Sequence, residues 1–128
     1  MTYRILLLDD EPAICEITEI LLRKLGYEPL ITSKGEDTVD AYRASIQEGK
    51  PFNLVILDLT IPGGMGGKDV IAALLEIDPN VRALVSSGDA NDPAVAHYAD
   101  FGFTGVLMKP YNKAALDEVI KSILKPDQ

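Results

Sequence analysis

The chain has few or none of several residue types, and each shortage excludes a class of protein. Its 128 residues include no tryptophan, one cysteine (Cys15) and one histidine (His97). A lone cysteine cannot form an internal disulfide, and one cysteine with one histidine does not supply the ligands of a zinc site. An unpaired cysteine is typical of a reducing compartment, so the expected localisation is cytoplasmic.

Positive charge is also scarce. Twelve lysine and arginine residues stand against twenty aspartate and glutamate residues, which gives a formal net charge of −8. A nucleic-acid surface needs clustered cations, so the composition predicts no nucleic-acid partner and favours a cation or a basic partner. No apolar run approaches the roughly 18 residues that span a bilayer, and the N-terminus lacks a signal-peptide pattern. No membrane association is therefore expected.

Apolar residues make up 47% of the chain, and they form an alternating pattern of elements. The length fits one domain, predicted over residues 1–125, with 126–128 as a C-terminal stub or linker. Five short strand-like segments alternate with five segments of helical spacing. This alternation predicts an α/β fold with right-handed crossovers and a five-stranded parallel sheet covered on both faces. The strands are predicted at 3–8, 27–32, 54–57, 81–85 and 104–108.

Capping residues and apolar spacing locate the predicted helices. Pro12 suits a first helical position, and the residues that follow form an apolar stripe expected in the core. The segment 33–36, Ser-Lys-Gly-Glu, has the form of a capping box before the second helix. The fourth helix is predicted to open near Asn91 and to continue past Tyr98 toward Gly102, and the fifth to follow Asn112. The first stripe contains Ile14, Ile17, Leu21, Leu22 and Leu25.

Polar residues stand where the predicted strands end. Asp9 and Asp10 follow the first strand, Asp58 the third, Ser86 the fourth and Lys109 the fifth. The ends of parallel strands share one edge, where open α/β sheets bind ligands. Three neighbouring carboxylates repel one another unless a cation joins them, so a hard divalent ion is predicted here, with Mg²⁺ the favoured candidate.

Such a site indicates phosphoryl chemistry, because Mg²⁺ with few protein ligands typically binds where phosphate oxygens complete its shell. A carboxylate can act as the nucleophile and form an aspartyl phosphate, and Asp58 is best placed for that role. Lys109 can pair with one phosphoryl oxygen, and the Ser86 hydroxyl can donate a hydrogen bond to another. The backbone carbonyl of Thr60 is a further candidate metal ligand.

Simpler interpretations compete for each residue. A single acid at a strand end is often only solvated, and a serine there is more often a turn residue. Three acids together with Lys109 weigh against this, since unpaired and partly buried charges are costly. We expect His97 on a solvated helix face and Cys15 as a small core residue. The glycines of 63–67 are expected to let the loop after Asp58 move.

The residues at the strand ends, taken in this order, resemble those of the receiver domain of response regulators, and the resemblance covers essentially the whole chain. Any one of its marks is weak, but together and in order they are specific. The marks are Leu8-Asp9-Asp10-Glu11, Asp58 with Pro62 four residues later, Ser86 after an apolar strand, and Lys109-Pro110 before an aromatic residue.

The resemblance implies a flavodoxin-like fold with strand order 2-1-3-4-5 and a cis Lys109–Pro110 peptide bond. It also implies phosphorylation of Asp58 by a histidine kinase or phosphotransfer domain in a phosphorelay. Mg²⁺ would be held by Asp10, Asp58 and the Thr60 carbonyl, with Asp9 assisting. Such a domain switches the binding of a fused kinase or a downstream effector. It catalyses only its own phosphorylation and dephosphorylation, so it is not expected to act on an external substrate.

The chain departs from the family pattern at Val106, where many receivers have an aromatic residue that swings inward. Tyr98 and Tyr111 are candidate substitutes. The sequences of segments 58–67, 85–89 and 102–111 resemble receivers attached to hybrid sensor histidine kinases. Two other functions stay open: a Mg²⁺-dependent phosphohydrolase with an aspartyl-phosphate intermediate, and a receiver-like interaction module that is not phosphorylated.

Overall fold

Five parallel strands form the centre of the molecule in a computed structural model that describes residues 2–125. The sheet order is β2-β1-β3-β4-β5, which confirms the predicted flavodoxin-like fold. The predicted stub at 126–128 lies outside the described residues. The strands are β1 Arg4–Leu8, β2 Glu28–Thr32, β3 Leu54–Asp58, β4 Ala83–Ser87 and β5 Gly105–Met108.

Helices alternate with these strands. They are α1 Pro12–Lys24, α2 Gly35–Gln47, α3 Gly67–Ile77, α4 Pro93–Ala96 and α5 Lys113–Leu124, with a 3-10 turn at Tyr98–Phe101. Within residues 2–125 no helix has the length and apolar character needed to cross a bilayer.

The three inner strands are buried on both faces, as expected of a parallel sheet between helical layers. Side chains alternate along β1, so that Leu6 packs toward α2 and α3 while Leu7 packs toward α1 and α5. This two-sided core fixes the strands in register and therefore fixes their carboxyl ends.

The apolar stripe predicted for α1 is rotated relative to the observed core. Ile17 is 56% exposed, so its placement in the core was wrong, and the buried residues of α1 are Thr18 and Leu22. The reason is a polar contact, because the Thr18 side chain faces inward and hydrogen-bonds Tyr111. Cys15 is only half-buried and its thiol donates to the Asp9 carbonyl at 3.1 Å, so it is not the core residue that was expected.

The predicted capping box before α2 is wrong. The helix begins at Gly35, Lys34 occupies the N-cap position, and no side chain caps the helix. A Cβ at Gly35 would collide with the Met65 backbone carbonyl, so the loop before α3 packs closely on the first residue of α2. Local sequence around Ser33 carries no signal of that contact.

The predicted fourth helix is also wrong as a continuous element. Asp92 caps α4 by accepting from the Ala94 N–H at 2.9 Å, but α4 ends at Ala96 and His97 has non-helical dihedrals. His97 is exposed, as expected, although it lies between two elements rather than on a helix face. After the 3-10 turn, Gly102 adopts φ +98° and lies against Leu75 of α3. This tertiary contact outweighs the helical spacing of the segment.

Candidate functional site

The carboxyl edge of the sheet brings together the polar residues predicted at the strand ends. Asp58 is the last residue of β3 and lies opposite Ser86 of β4 in the strand register. Asp9 and Asp10 follow β1, and Lys109 follows β5. Asp9, Asp58 and Ser86 are 1%, 6% and 2% exposed, so the neighbouring elements shield them from solvent. Sequence alone located these five residues, because parallel strands must end at a common edge.

The acids form a tight cluster. Carboxylate oxygens of Asp9, Asp10 and Asp58 all lie within 4.8 Å of one another. Burial raises the pKa of the Asp58 carboxyl, the Lys109 ammonium opposes that rise, and the Asp9 charge adds to it. Two buried carboxylates at this separation are stable only beside positive charge.

Lys109 supplies part of that charge. Its Nζ lies 2.8 Å from Asp9 Oδ2, 3.4 Å from Asp58 Oδ2 and 4.0 Å from Glu11 Oε1. Burial lowers the pKa of the ammonium, but the hydrogen bond to Asp9 and the charge of Asp58 outweigh burial, so the net pKa is raised. Lys109 is therefore protonated at neutral pH, and its ammonium lies within 4.0 Å of Asp9, Glu11 and Asp58.

The donor set of the cluster suits a hard cation. Three carboxylates offer oxygen ligands, which Mg²⁺ and Ca²⁺ prefer. Thr60 lies beside them: its N–H donates to Asp58 Oδ1 at 3.3 Å, and the residue lines a cleft of about 460 Å³ together with Asp10, Asp58 and Lys109. Asp10, Asp58 and Thr60 thus border one space open to solvent, while Asp9 is buried behind it.

The hydroxyl of Ser86 is without a partner. Among the described residues it is the one buried side-chain oxygen or nitrogen that makes no hydrogen bond. An unsatisfied buried hydroxyl costs about 1–3 kcal/mol. Because Ser86 sits opposite Asp58 in the sheet, this free donor adjoins the carboxylate and can bind an oxygen of a group attached there.

The family model of the response regulator receiver domain matches residues 5–121. The chain belongs to the response regulator receiver family. It therefore serves as a signalling domain of two-component systems.

Relatives of this receiver include stand-alone and multidomain proteins. Chemotaxis protein CheY of Thermotoga maritima is 28% identical over 126 residues, which cover 98% of this chain and 100% of that protein. The DNA-binding response regulator MtrA of Mycolicibacterium smegmatis is 30% identical over 128 residues, 100% of this chain but 53% of MtrA. The receiver thus spans about half the length of its DNA-binding relative.

A solved structure shares the fold. The receiver domain of a sensor histidine kinase from Pseudomonas aeruginosa PAO1 superposes with a TM-score of 0.83 at 19% sequence identity, covering 96% of this chain and 98% of that one. That structure holds a magnesium ion coordinated in its active-site cleft.

The resemblance to the receiver family also implied a cis Lys109–Pro110 peptide bond, and this bond is cis.

The glycine loop of this receiver is closely packed at its end. A Cβ at Gly66 would lie 2.5 Å from the Leu59 carbonyl oxygen, and one at Gly67 would lie 2.9 Å from the Asp58 carbonyl oxygen. Gly63 has φ +72°, whereas Gly64 has no close neighbour except Ile61. Gly66 and Gly67 therefore allow the loop to pack closely against the end of β3. The predicted mobility of the loop stays a prediction.

The two candidates for the missing aromatic switch lie outside β5, the strand that holds Val106. Val106 packs with the core on the α2 and α3 side of the sheet, but Tyr111 packs with the core on the α1 and α5 side. Tyr98 lies in the 3-10 turn and is 37% exposed. Tyr111 therefore lies on the opposite face of the sheet from Val106.

Sequence reasoning gave no role to Glu11, Thr18 or the Tyr111 hydroxyl. Glu11 is a third acid near Lys109, and its N–H donates to Asp9 Oδ1 at 2.9 Å. Thr18 and Tyr111 hydrogen-bond across 93 positions of the chain. A threonine inside an apolar stripe is a visible signal that a buried partner exists, although it does not name that partner.

Proposed function

We propose that this receiver accepts a phosphoryl group on Asp58 from a histidine kinase or phosphotransfer domain, and that the modified domain changes its binding to a partner. One observation carries the proposal: Asp58 is a buried carboxylate that contacts Lys109 and faces the unpartnered hydroxyl of Ser86. The three groups are a nucleophile, a cation and a hydrogen-bond donor, the set that phosphoryl transfer needs.

In the proposed step a carboxylate oxygen of Asp58 attacks the phosphorus of a phosphohistidine. A P–O bond forms, the P–N bond breaks, and the electron pair leaves with the imidazole nitrogen. Lys109, now 3.4 Å from Asp58 Oδ2, moves to a phosphoryl oxygen, and the Ser86 hydroxyl donates to another. Water then attacks the phosphorus of the aspartyl phosphate, the P–O bond to Asp58 breaks, and inorganic phosphate leaves the restored carboxylate. The domain is an enzyme only in the sense that it catalyses these two reactions on itself.

We propose that Asp9, Asp10, Asp58 and the Thr60 carbonyl hold Mg²⁺. The mutual proximity of the three carboxylates supports this, as does the magnesium ion in the related receiver of P. aeruginosa. When bound, the ion neutralises the acids and the phosphoryl oxygens. Lys109 remains the protein's own cation at the site and orients the acceptor carboxylate.

The proposal also covers the bounds of the domain, its attachment and its partners. Residues 1–125 form the receiver domain. The sequences of its loops support attachment to a hybrid sensor histidine kinase. Its partners are then a kinase or phosphotransfer domain and an effector. The net charge of −8 supports the absence of direct nucleic-acid contact by this domain, whatever a DNA-binding relative does through its remaining length.

Intact-mass analysis after incubation with acetyl phosphate tests the acceptor. We expect one adduct of about 80 Da that needs Mg²⁺ and disappears in Asp58→Asn. Asp100→Asn, which changes an exposed acid of the 3-10 turn, serves as the matched control and keeps the adduct. An adduct that persists in Asp58→Asn would contradict the assignment. Repeated turnover of a generic phosphate ester would instead support a phosphohydrolase.

A further inference from the structure

A hydrogen bond outside the proposed phosphoryl chemistry ties α1 to the loop between β5 and α5. The hydroxyls of Thr18 and Tyr111 lie 2.7 Å apart. Thr18 is 1% exposed, so its hydroxyl is cut off from water. A buried hydroxyl pair of this length is a firm contact, because losing either partner leaves the other unsatisfied.

Tyr111 stands two residues after Lys109, and the backbone between them has little other support. The Lys109 N–H donates to the Ser87 carbonyl of β4 at 2.9 Å, which holds the loop on its N-terminal side. Pro110 has no N–H to donate. The tyrosine contact with Thr18 is thus the next polar attachment along the chain.

The two sides that this bond joins carry opposite charges of the proposed site. Asp9 and Glu11 directly precede α1, and Lys109 lies in the β5–α5 loop. Lys109 Nζ is 2.8 Å from Asp9 and 3.4 Å from Asp58, so it lies between an acid next to α1 and the acceptor. The separation of the loop from α1 decides how Lys109 divides its contacts between the two acids.

We propose that Tyr111 is a positioning residue: its hydroxyl, held by Thr18, fixes the β5–α5 loop against α1 so that Lys109 reaches both Asp9 and Asp58. The inference rests on the proposed function, since its consequence is the rate at which Asp58 accepts a phosphoryl group. Tyr111 touches no reacting atom and acts through Lys109. Its aromatic ring packs in the core, so the hydroxyl and the ring have separable roles.

The test compares Tyr111→Phe, which keeps the ring, with Thr18→Val, which keeps the shape of the other partner. Phosphorylation by acetyl phosphate at saturating Mg²⁺ is followed by intact mass. We expect each variant to react about fivefold more slowly than the wild type, and the double variant no more slowly than either single one. Tyr98→Phe, in an exposed tyrosine, is the control and reacts at the wild-type rate.

A second measurement separates positioning from packing. Urea unfolding of Tyr111→Phe, Lys109→Met and their combination gives a double-mutant cycle, and positioning through Lys109 requires a non-zero coupling. A wild-type rate in Tyr111→Phe would overturn the inference, and so would a slow rate combined with zero coupling. If the wild type forms no adduct, the proposed function fails instead, and the coupling then decides alone whether Tyr111 positions Lys109.

Discussion

Two buried serines of this receiver differ in one respect that matters for function. Ser45 and Ser86 are each 2% exposed. The Ser45 hydroxyl donates to the Tyr42 carbonyl at 2.7 Å, whereas the Ser86 hydroxyl has no partner. A donor that folding leaves unsatisfied is a cost to stability, and it is available to a ligand without breaking an existing bond.

We therefore predict opposite effects on stability for the two alanine variants. Ser86→Ala removes an unsatisfied buried hydroxyl and leaves the free energy of unfolding unchanged or raised by about 1 kcal/mol. Ser45→Ala loses a hydrogen bond and lowers it by about 1 kcal/mol. Urea denaturation measures both, and Ser86→Ala should also slow phosphorylation by acetyl phosphate. Equal destabilisation by the two changes would show that the Ser86 hydroxyl is satisfied in solution.

At the scale of elements, the loop from β3 to α3 offers a matched pair of glycines. We expect Gly66→Ala to destabilise the fold by about 1–3 kcal/mol, because its Cβ would meet the Leu59 carbonyl oxygen at 2.5 Å. The Cβ of Gly64→Ala would make only an ordinary contact with Ile61, and φ at Gly64 lies outside the left-handed region, so the change should be neutral or stabilising by up to about 1 kcal/mol. Thermal and urea unfolding compare the two, and similar losses would argue against close approach as the reason for Gly66.

The elements that could be predicted from the sequence are those that local pattern determines. The apolar run before Asp58 had to be an inner strand, and strands that end in polar residues had to place them at one edge. The same reasoning located the α5 cap, since the Asn112 side chain accepts from the Ala115 N–H. Strand bounds shifted by one or two residues, as at β4, which includes both Ser86 and Ser87.

The elements that escaped prediction depend on contacts distant in sequence. Gly35, at the start of α2, lies against Met65, and Gly102, after the 3-10 turn, lies against Leu75 of α3. The buried face of α1 includes Thr18, which hydrogen-bonds Tyr111. The sequence around Tyr111 gives no sign of that contact. In each case a tertiary contact outweighed a propensity of less than about 1 kcal/mol per residue.

At the scale of the whole molecule, the net charge of −8 includes the close cluster of Asp9, Asp10 and Asp58. We predict that Mg²⁺ raises the Tm of the wild type relative to a chelator, by a stabilisation of about 2.7 kcal/mol at a hundredfold excess over Kd. In the chelator, Asp58→Asn should be more stable than the wild type, because it removes one of the buried like charges.

The dependence on Mg²⁺ distinguishes the cluster from general charge. Asp58→Asn should gain less from Mg²⁺ than the wild type, while Asp100→Asn, at an exposed position, should gain as much. Differential scanning calorimetry measures the Tm of the wild type and of both variants, each with Mg²⁺ and with a chelator. Equal gains for Asp58→Asn and the wild type would place the ion elsewhere.

The brevity of α4 has a consequence for the timing of a signal. One helical turn and one 3-10 turn connect Asp92 to Gly102, so few backbone bonds hold this segment compared with the 13-residue α1. Rearranging it needs only a fraction of the free energy of unfolding, and motions of loops and single turns take microseconds to milliseconds. Phosphoryl transfer by kinases is slower, at roughly 1–100 per second. Under the proposed function, the segment that follows Ser86 would therefore reach equilibrium faster than Asp58 gains or loses its phosphoryl group.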